Sequence, residues 1–187
     1  MDEYEFAVHE TKTHEVIEDV RNGKSEIGIL YLNDFNRKVL EKIFAESAIE
    51  FHPLLECNVY VYMSNTHPLA KKESISLEEL KDYPCLSFDQ GEYNSFYYAE
   101  EFLSMLDMPK NIQVRDRATM FNLIIGLNGF TVCSGVISEE LNGSQIIARP
   151  LDMDVQMRIG LVKKKNILFS RYADTYIEAL KKYVSID

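Results

Sequence analysis

The stretch LECNVYVYM, residues 55–63, sets apolar Leu55, Cys57, Val59, Val61 and Met63 in alternation with Glu56, Asn58, Tyr60 and Tyr62. Period-two alternation marks a half-buried strand, and at ~3.3 Å per residue this one spans about 30 Å, longer than the usual five or six residues. Val155, Met157, Ile159 and Leu161 repeat the pattern late in the chain. A strand of that length can leave one lobe and enter another. Two such strands bracket the middle third, so the backbone is expected to cross twice between lobes. The first lobe would hold residues 1–59 and 158–187, the second residues 60–157. Two crossings make a hinge, and a hinge between lobes makes a cleft.

On either side of these strands the apolar period switches repeatedly between two and 3.6, the pattern of an α/β chain. Residues 6–8 predict a strand. Thr11 and Thr13 offer N-cap hydroxyls to a helix carrying Val16, Ile17 and Val20, stopped by Gly23. Residues 27–32 form a nearly continuous apolar run, as in a strand covered on both faces, and Asp34 is placed to cap the helix of Val39, Leu40, Ile43 and Phe44. His52 and His67 each precede proline and suggest turns. Ser76 and Glu79 make a capping box for a short helix that Pro84 closes. Further strands are expected at 85–88, around Ile112 and Val114, at 130–133 and at 146–151. A helix with Ala99, Phe102, Leu103 and Leu106 on one face follows the loop at 89–95. Thr119 would cap a helix ended by Asn128-Gly129, and Ser170 the last helix, where Ala173, Tyr176, Ile177, Leu180 and Val184 align. No internal repeat and no Gly-, Pro- or Ser-rich linker interrupts this series.

Composition narrows the function. The 187 residues carry 20 Lys+Arg against 30 Asp+Glu, a net charge of −10. Neutralising phosphates needs clustered Lys and Arg, so these residues are not expected to hold nucleic acid by themselves. Apolar residues at 46% and charged residues at 27% are ordinary for a globular domain and exclude a disordered chain. No apolar run approaches the ~20 residues of a membrane span, and MDEYEF has neither the basic nor the apolar part of a secretory signal. A soluble cytoplasmic domain is the expectation. Cys57, Cys85 and Cys133 are widely spaced inside apolar runs, which fits small core residues in a reducing compartment, with no disulfide framework or zinc spacing.

No catalytic constellation is present: the chain has no G-x-S-x-G, no Walker loop, no G-x-G-x-x-G after a strand and no H-E-x-x-H. His9 and His14 lack a completing metal ligand, and Cys133 beside Ser134 lacks a partner base. No enzyme activity, metal or cofactor is expected. Strand-to-helix turns are more informative, because in open α/β sheets ligands sit beyond the carboxyl ends of the strands, where helix N-termini present free N–H groups. Thr11/Thr13, Asn94/Ser95 and Thr119 stand at such turns, either as caps or as ligand donors. Converging donors of this kind suit a carboxylate or other small anion.

Several segments in order and spacing resemble the effector-binding domain of LysR-type transcriptional regulators, which has the type 2 periplasmic-binding-protein fold. They are ETKTHEVIEDVRNGKSEIGIL (10–30), HPLAKKESISLEELKDYPCLSF (67–88), LIIGLNGFTVCS (123–134) and RIGLVKKKN (158–166). The chain departs from the family at Glu26, Leu127 and Ser134, where Asp, Gly and Pro are usual. The family's winged helix-turn-helix, and the first strand and helix of its sensor lobe, are read as lacking, which would leave a sheet edge and apolar surface for a partner to cover. The resemblance implies two Rossmann-like lobes joined by two crossover strands. A small, anionic metabolite would bind between them, in a homodimer or higher oligomer that reaches DNA only through a helix-turn-helix outside this chain. Carried over position by position, it points to Thr11, Thr13, Asn33, Asp89, Gln90, Thr119 and Cys133 as ligand-binding, with Thr13 and Thr119 foremost. Phe88 and Tyr31 read more safely as ordinary core packing than as apolar walls of the site. A transporter's solute-binding protein is the rival on the same fold.

Overall fold

The computed structural model describes residues 5–93, 98 and 108–184. Along the chain run α1 (Thr13–Arg21), β1 (Gly28–Leu32), α2 (Arg37–Glu46), β2 (Ile49–Asn58), β3 (Tyr60–Ser64), α3 (Leu77–Leu80) and β4 (Cys85–Phe88). A 3₁₀ turn (Gly91–Tyr93) follows, then β5 (Asn111–Val114), α4 (Arg117–Leu127), β6 (Phe130–Cys133), α5 (Glu139–Asn142), β7 (Ile146–Pro150), β8 (Gln156–Lys164) and α6 (Arg171–Val184). The helix expected around Ala99–Leu106 and the turn Asn94/Ser95 lie outside the described residues.

The strands form two sheets, a three-stranded one ordered β1-β8-β2 and a five-stranded one ordered β5-β4-β6-β3-β7. In the first sheet β8 is central and antiparallel to both neighbours, with Leu32 opposite Arg158 and Asn58 opposite Gln156. In the second, β4 runs parallel to β5 and β6, and β3 runs antiparallel to β6 and β7.

The segment 55–63 passes from one sheet to the other, but as two strands. Val59 separates them, fully buried, and its carbonyl accepts the N–H of Leu151 at 3.1 Å. Up to Asn58 the ladder partner is β8; from Tyr60 it is β6 and β7. The return passage lies at 151–155, between β7 and β8, so β8 belongs wholly to the three-stranded sheet. The two passages are therefore hydrogen-bonded to each other where they cross.

α1 and α2 pack Ile17, Val20, Leu40 and Phe44 onto the face of the first sheet that carries Leu30, Leu32, Ile49 and Val162. Because both helices take that face, Ile29 on the other side of edge strand β1 stays 40% exposed, and the run expected to be covered on both faces is not. Among the described residues no strand forms at 6–8: Val8 is exposed, and Phe6 meets Tyr172 edge-on at 5.6 Å. The core of the second lobe, with Val61, Met63, Leu80, Phe130 and Val132, reaches through Val59 and Leu151 to Met157 of β8. Tyr62, Leu86, Met120 and Ile124 form a further cluster under α4.

His67 makes the predicted turn, its Nδ1 accepting the Leu69 N–H at 3.1 Å. His52-Pro53 instead sits inside β2, where the register shifts between Pro53 and Leu55; proline lacks the ladder N–H, and a bulge accommodates it. Asn128 ends α4 in the left-handed conformation, φ 50° and ψ 42°, and Ser170 Oγ accepts the Ala173 N–H at 3.2 Å as the cap of α6.

Candidate functional site

α1 begins where the two lobes meet. Its N-cap position is taken by Lys12, extended at φ −68° and ψ 149°, with no side-chain cap of its own. Neither threonine plays the expected capping role. The Thr11 hydroxyl donates to the Glu15 carboxylate. Thr13 is the first helical residue, and its backbone N–H donates to Oε1 of Gln90 at 3.2 Å. Gln90 follows β4 in the other lobe and is 1% exposed, while Thr13 is also buried. A carboxamide from the second lobe thus satisfies an orphan N–H at the start of a helix in the first.

Charged side chains surround this junction. Asp89 accepts the Gly91 N–H at 2.8 Å and Arg115 Nε at 3.1 Å, and these bonds, with the Lys12 charge in addition, hold its carboxyl below the ordinary aspartate range. Gly91 has φ +62°, and a Cβ there would stand 2.5 Å from Lys12 Nζ, so the lysine lies against bare backbone. Arg117 Nε faces Glu10 Oε1 at 3.8 Å between the lobes, with both side chains largely exposed. Asp116, not Thr119, caps α4: it accepts both the N–H and the hydroxyl of Thr119 at 2.8 Å. Those bonds lower the Asp116 carboxyl too. Thr119 is exposed, two positions beyond Arg117.

Asn33 stands apart from this group. Its Oδ1 accepts the N–H groups of Phe35 and Asn36, both at 2.9 Å, and Asn36 Oδ1 accepts the Asn33 N–H at 2.8 Å. This reciprocal pair organises the turn into α2, the task expected of Asp34, which is exposed. Asn33 lines a polar cavity of about 350 Å³ beside Arg37 and Arg158. A larger groove, about 450 Å³, adjoins it between α2 and β2, with Phe44, Ile49 and Phe51 in its lining.

Cys133 is half-buried at the end of β6 opposite Tyr60. Cys57 is half-buried as well, and burial, reinforced by the nearby Cys133, pushes its thiol up to about 11. A thiol so raised is a poor nucleophile. Among the described residues no group of His, Cys, Asp and Glu is arranged to hold a metal ion, and no helix is long and apolar enough to cross a membrane.

Thr13 and Gln90 are thus in direct contact, with Asp89 adjacent to Gln90 and Thr11 two positions before Thr13, whereas Asn33 and Cys133 belong to other surroundings. Glu10, Lys12, Arg115 and Arg117 complete the junction, although no local signal in the sequence singles them out.

Comparison with known proteins gives this arrangement its context. HinK, a LysR family transcriptional regulator from Pseudomonas aeruginosa, superposes with a TM-score of 0.64 at 16% identity, over 94% of this chain and 59% of that one. The effector-binding domain of QuiR, in complex with shikimate, gives 0.60 at 23% identity, over 93% and 77%. In sequence, the uncharacterized HTH-type transcriptional regulator YbhD of Escherichia coli (strain K12) is 25% identical over 176 residues, 91% of this chain and 51% of that protein. The chain therefore spans about half the length of the curated relative it matches. A family model described as the LysR substrate binding domain matches residues 2–185. With two lobes, two crossings and a match over nearly its whole length, the chain belongs to the LysR substrate-binding-domain family.

Proposed function

We propose that this chain is the effector-sensing domain of a LysR-type transcriptional regulator, and that a small metabolite carrying a carboxylate binds between its lobes. Binding shifts the balance between open and closed arrangements by the ligand's differential affinity for the two. The change passes through a homodimer to DNA-binding domains of a longer polypeptide in the cytoplasm, and the chain itself catalyses nothing. The lobes are taken as residues 1–59 with 158–187, and 60–157, save that Gln156 and Met157 go with the first lobe because β8 lies wholly in its sheet. The proposed ligand contacts are Thr11, Thr13, Asp89, Gln90 and Thr119 around the α1 junction, Asn33 at its separate polar cavity, and Cys133 at the end of β6.

One observation supports this reading above the others: the first N–H of α1 in one lobe is held by the buried Gln90 carboxamide of the other. A carboxylate has the same acceptor oxygen and adds a charge that the helix N-terminus favours. QuiR, solved with shikimate, supports a small-molecule effector. The family match favours a sensor over a transporter's solute-binding protein.

Thermal-shift screening of a broad library of small carboxylates, with and without other functional groups, tests the proposal. A ligand at 100 times its Kd adds about 2.7 kcal/mol of stability. A library with no stabilising member overturns the sensing role.

A further inference from the structure

Asn33 keeps one polar atom that the fold does not use. The residue is 4% exposed and its Oδ1 is occupied by two backbone N–H groups, yet its Nδ2 has no hydrogen-bond partner. Buried donors in native proteins are almost always paired, so an orphaned one asks for a cause. Asn33 lines the cavity of about 350 Å³ at the carboxyl end of β1, beside the return passage between the lobes. That volume lies within the range of small-molecule sites.

The charges around the cavity select the ligand. Arg37 and Asp34 come from the turn into α2, and Arg158 and Asp154 from the return passage and the start of β8. Arg37 meets Glu41 at 2.7 Å and Arg158 meets Glu56 at 2.8 Å, each through Nε, which is one of the five donors a guanidinium carries. Among the described residues neither Asp34 nor Asp154 takes part in a salt bridge. A plain anion would face two carboxylates here. A plain cation would face two guanidiniums and leave the Asn33 amide unanswered.

We infer that the cavity binds a small zwitterion of the α-amino-acid class. Its carboxylate takes Asn33 Nδ2 and the Arg158 and Arg37 guanidiniums, and its ammonium faces Asp34 and Asp154. The inference rests on the sensing reading and names the ligand class at its Asn33 wall. Because the lining joins the first lobe to the segment that leads back from the second, occupancy favours one arrangement of that passage over others.

The test uses the full chain, the common L-α-amino acids, and for each the matching deaminated acid and decarboxylated amine. Calorimetry and thermal shift are expected to find at least one amino acid that binds while its two analogues bind at least tenfold more weakly. Asn33→Asp keeps the Oδ1 acceptor for Phe35 and Asn36 but replaces the free donor with a charge, and is expected to weaken binding tenfold or more. Asp154→Asn alters an exposed side chain, so folding is preserved, and is expected to do the same. An acid that binds as well as its amino acid, or affinity unchanged in both variants, overturns the zwitterion site and leaves sensing intact. No binding by any amino acid overturns it too, whereas sensing falls only if the wider carboxylate library fails as well.

Discussion

Gln90 shows how much one side chain can hold. Its oxygen is the acceptor for the Thr13 N–H, and both groups are buried. Gln90→Leu preserves bulk but strands that donor, and is expected to cost about 1–3 kcal/mol in urea unfolding. Glu10→Gln, at the exposed pair with Arg117 across the same junction, is expected to change stability by less than about 1 kcal/mol. His67 gives a different signal. Its Nδ1 accepts the Leu69 N–H and its Nε2 stands 3.1 Å from the Asn128 carbonyl, so the neutral ring with the proton on Nε2 fits both. Burial lowers its pKa, and the bond to Asn128 only partly opposes that. The unfolded chain therefore takes the proton first. Stability from this group is full above about pH 6.5 and declines as pH falls below it. Unfolding curves from pH 8 to 5 for wild type and His67→Gln should converge on the acid side. Glu79, held at about 2 by Lys72 and Ser76, loses its contribution only at lower pH, so the two windows are distinct.

Among the elements, β8 carries the first sheet, since among the described residues β1 and β2 each pair with it and with no other strand. Its Gly160 makes room for β2: a Cβ there would strike the Phe51 ring and lie 2.5 Å from the His52 carbonyl oxygen. A ring can turn, but a strand carbonyl cannot. Gly160→Ala is expected to destabilise by about 1–3 kcal/mol, measured as a lowered denaturation midpoint with an unchanged slope. The strands and helices were legible wherever their period ran long enough, as in α6 or β8, whereas the first half of β2, around His52-Pro53, reads as a turn. The caps were less so, for a local reason. Thr11, Lys12 and Thr13 crowd one helix start, Asn33, Asp34 and Asn36 a second, and Asp116 and Thr119 a third. Side chains that can each accept a backbone N–H lie within one turn at the latter two. Neighbours in space choose among them, and at α1 the acceptor comes from another lobe altogether.

At the scale of the whole molecule, alternation through 55–63 revealed a passage between sheets but hid the break at Val59. Both halves alternate in the same phase, and only the change of partner from β8 to β6 and β7 separates them. The candidate site divides the same way. Thr13 stood out in the sequence at a helix start and Gln90 and Asn33 only through the family resemblance, whereas Lys12, Arg117, Asp154 and Arg158 gain meaning only from the fold that assembles them. That fold also limits how the lobes can move. The Leu151 N–H bonds the Val59 carbonyl, and Met157 of the three-stranded sheet, 2% exposed, packs into the core of the five-stranded lobe. A hinge built this way couples the lobes as it joins them. Met157→Ala is expected to cost about 2–5 kcal/mol, as other large-to-small core changes do. Because that side chain serves both lobes, the loss should lower one shared transition, with calorimetric and van't Hoff enthalpies remaining equal. Two separated transitions in the variant would show that the lobes fold independently and that the core does not carry the coupling between them.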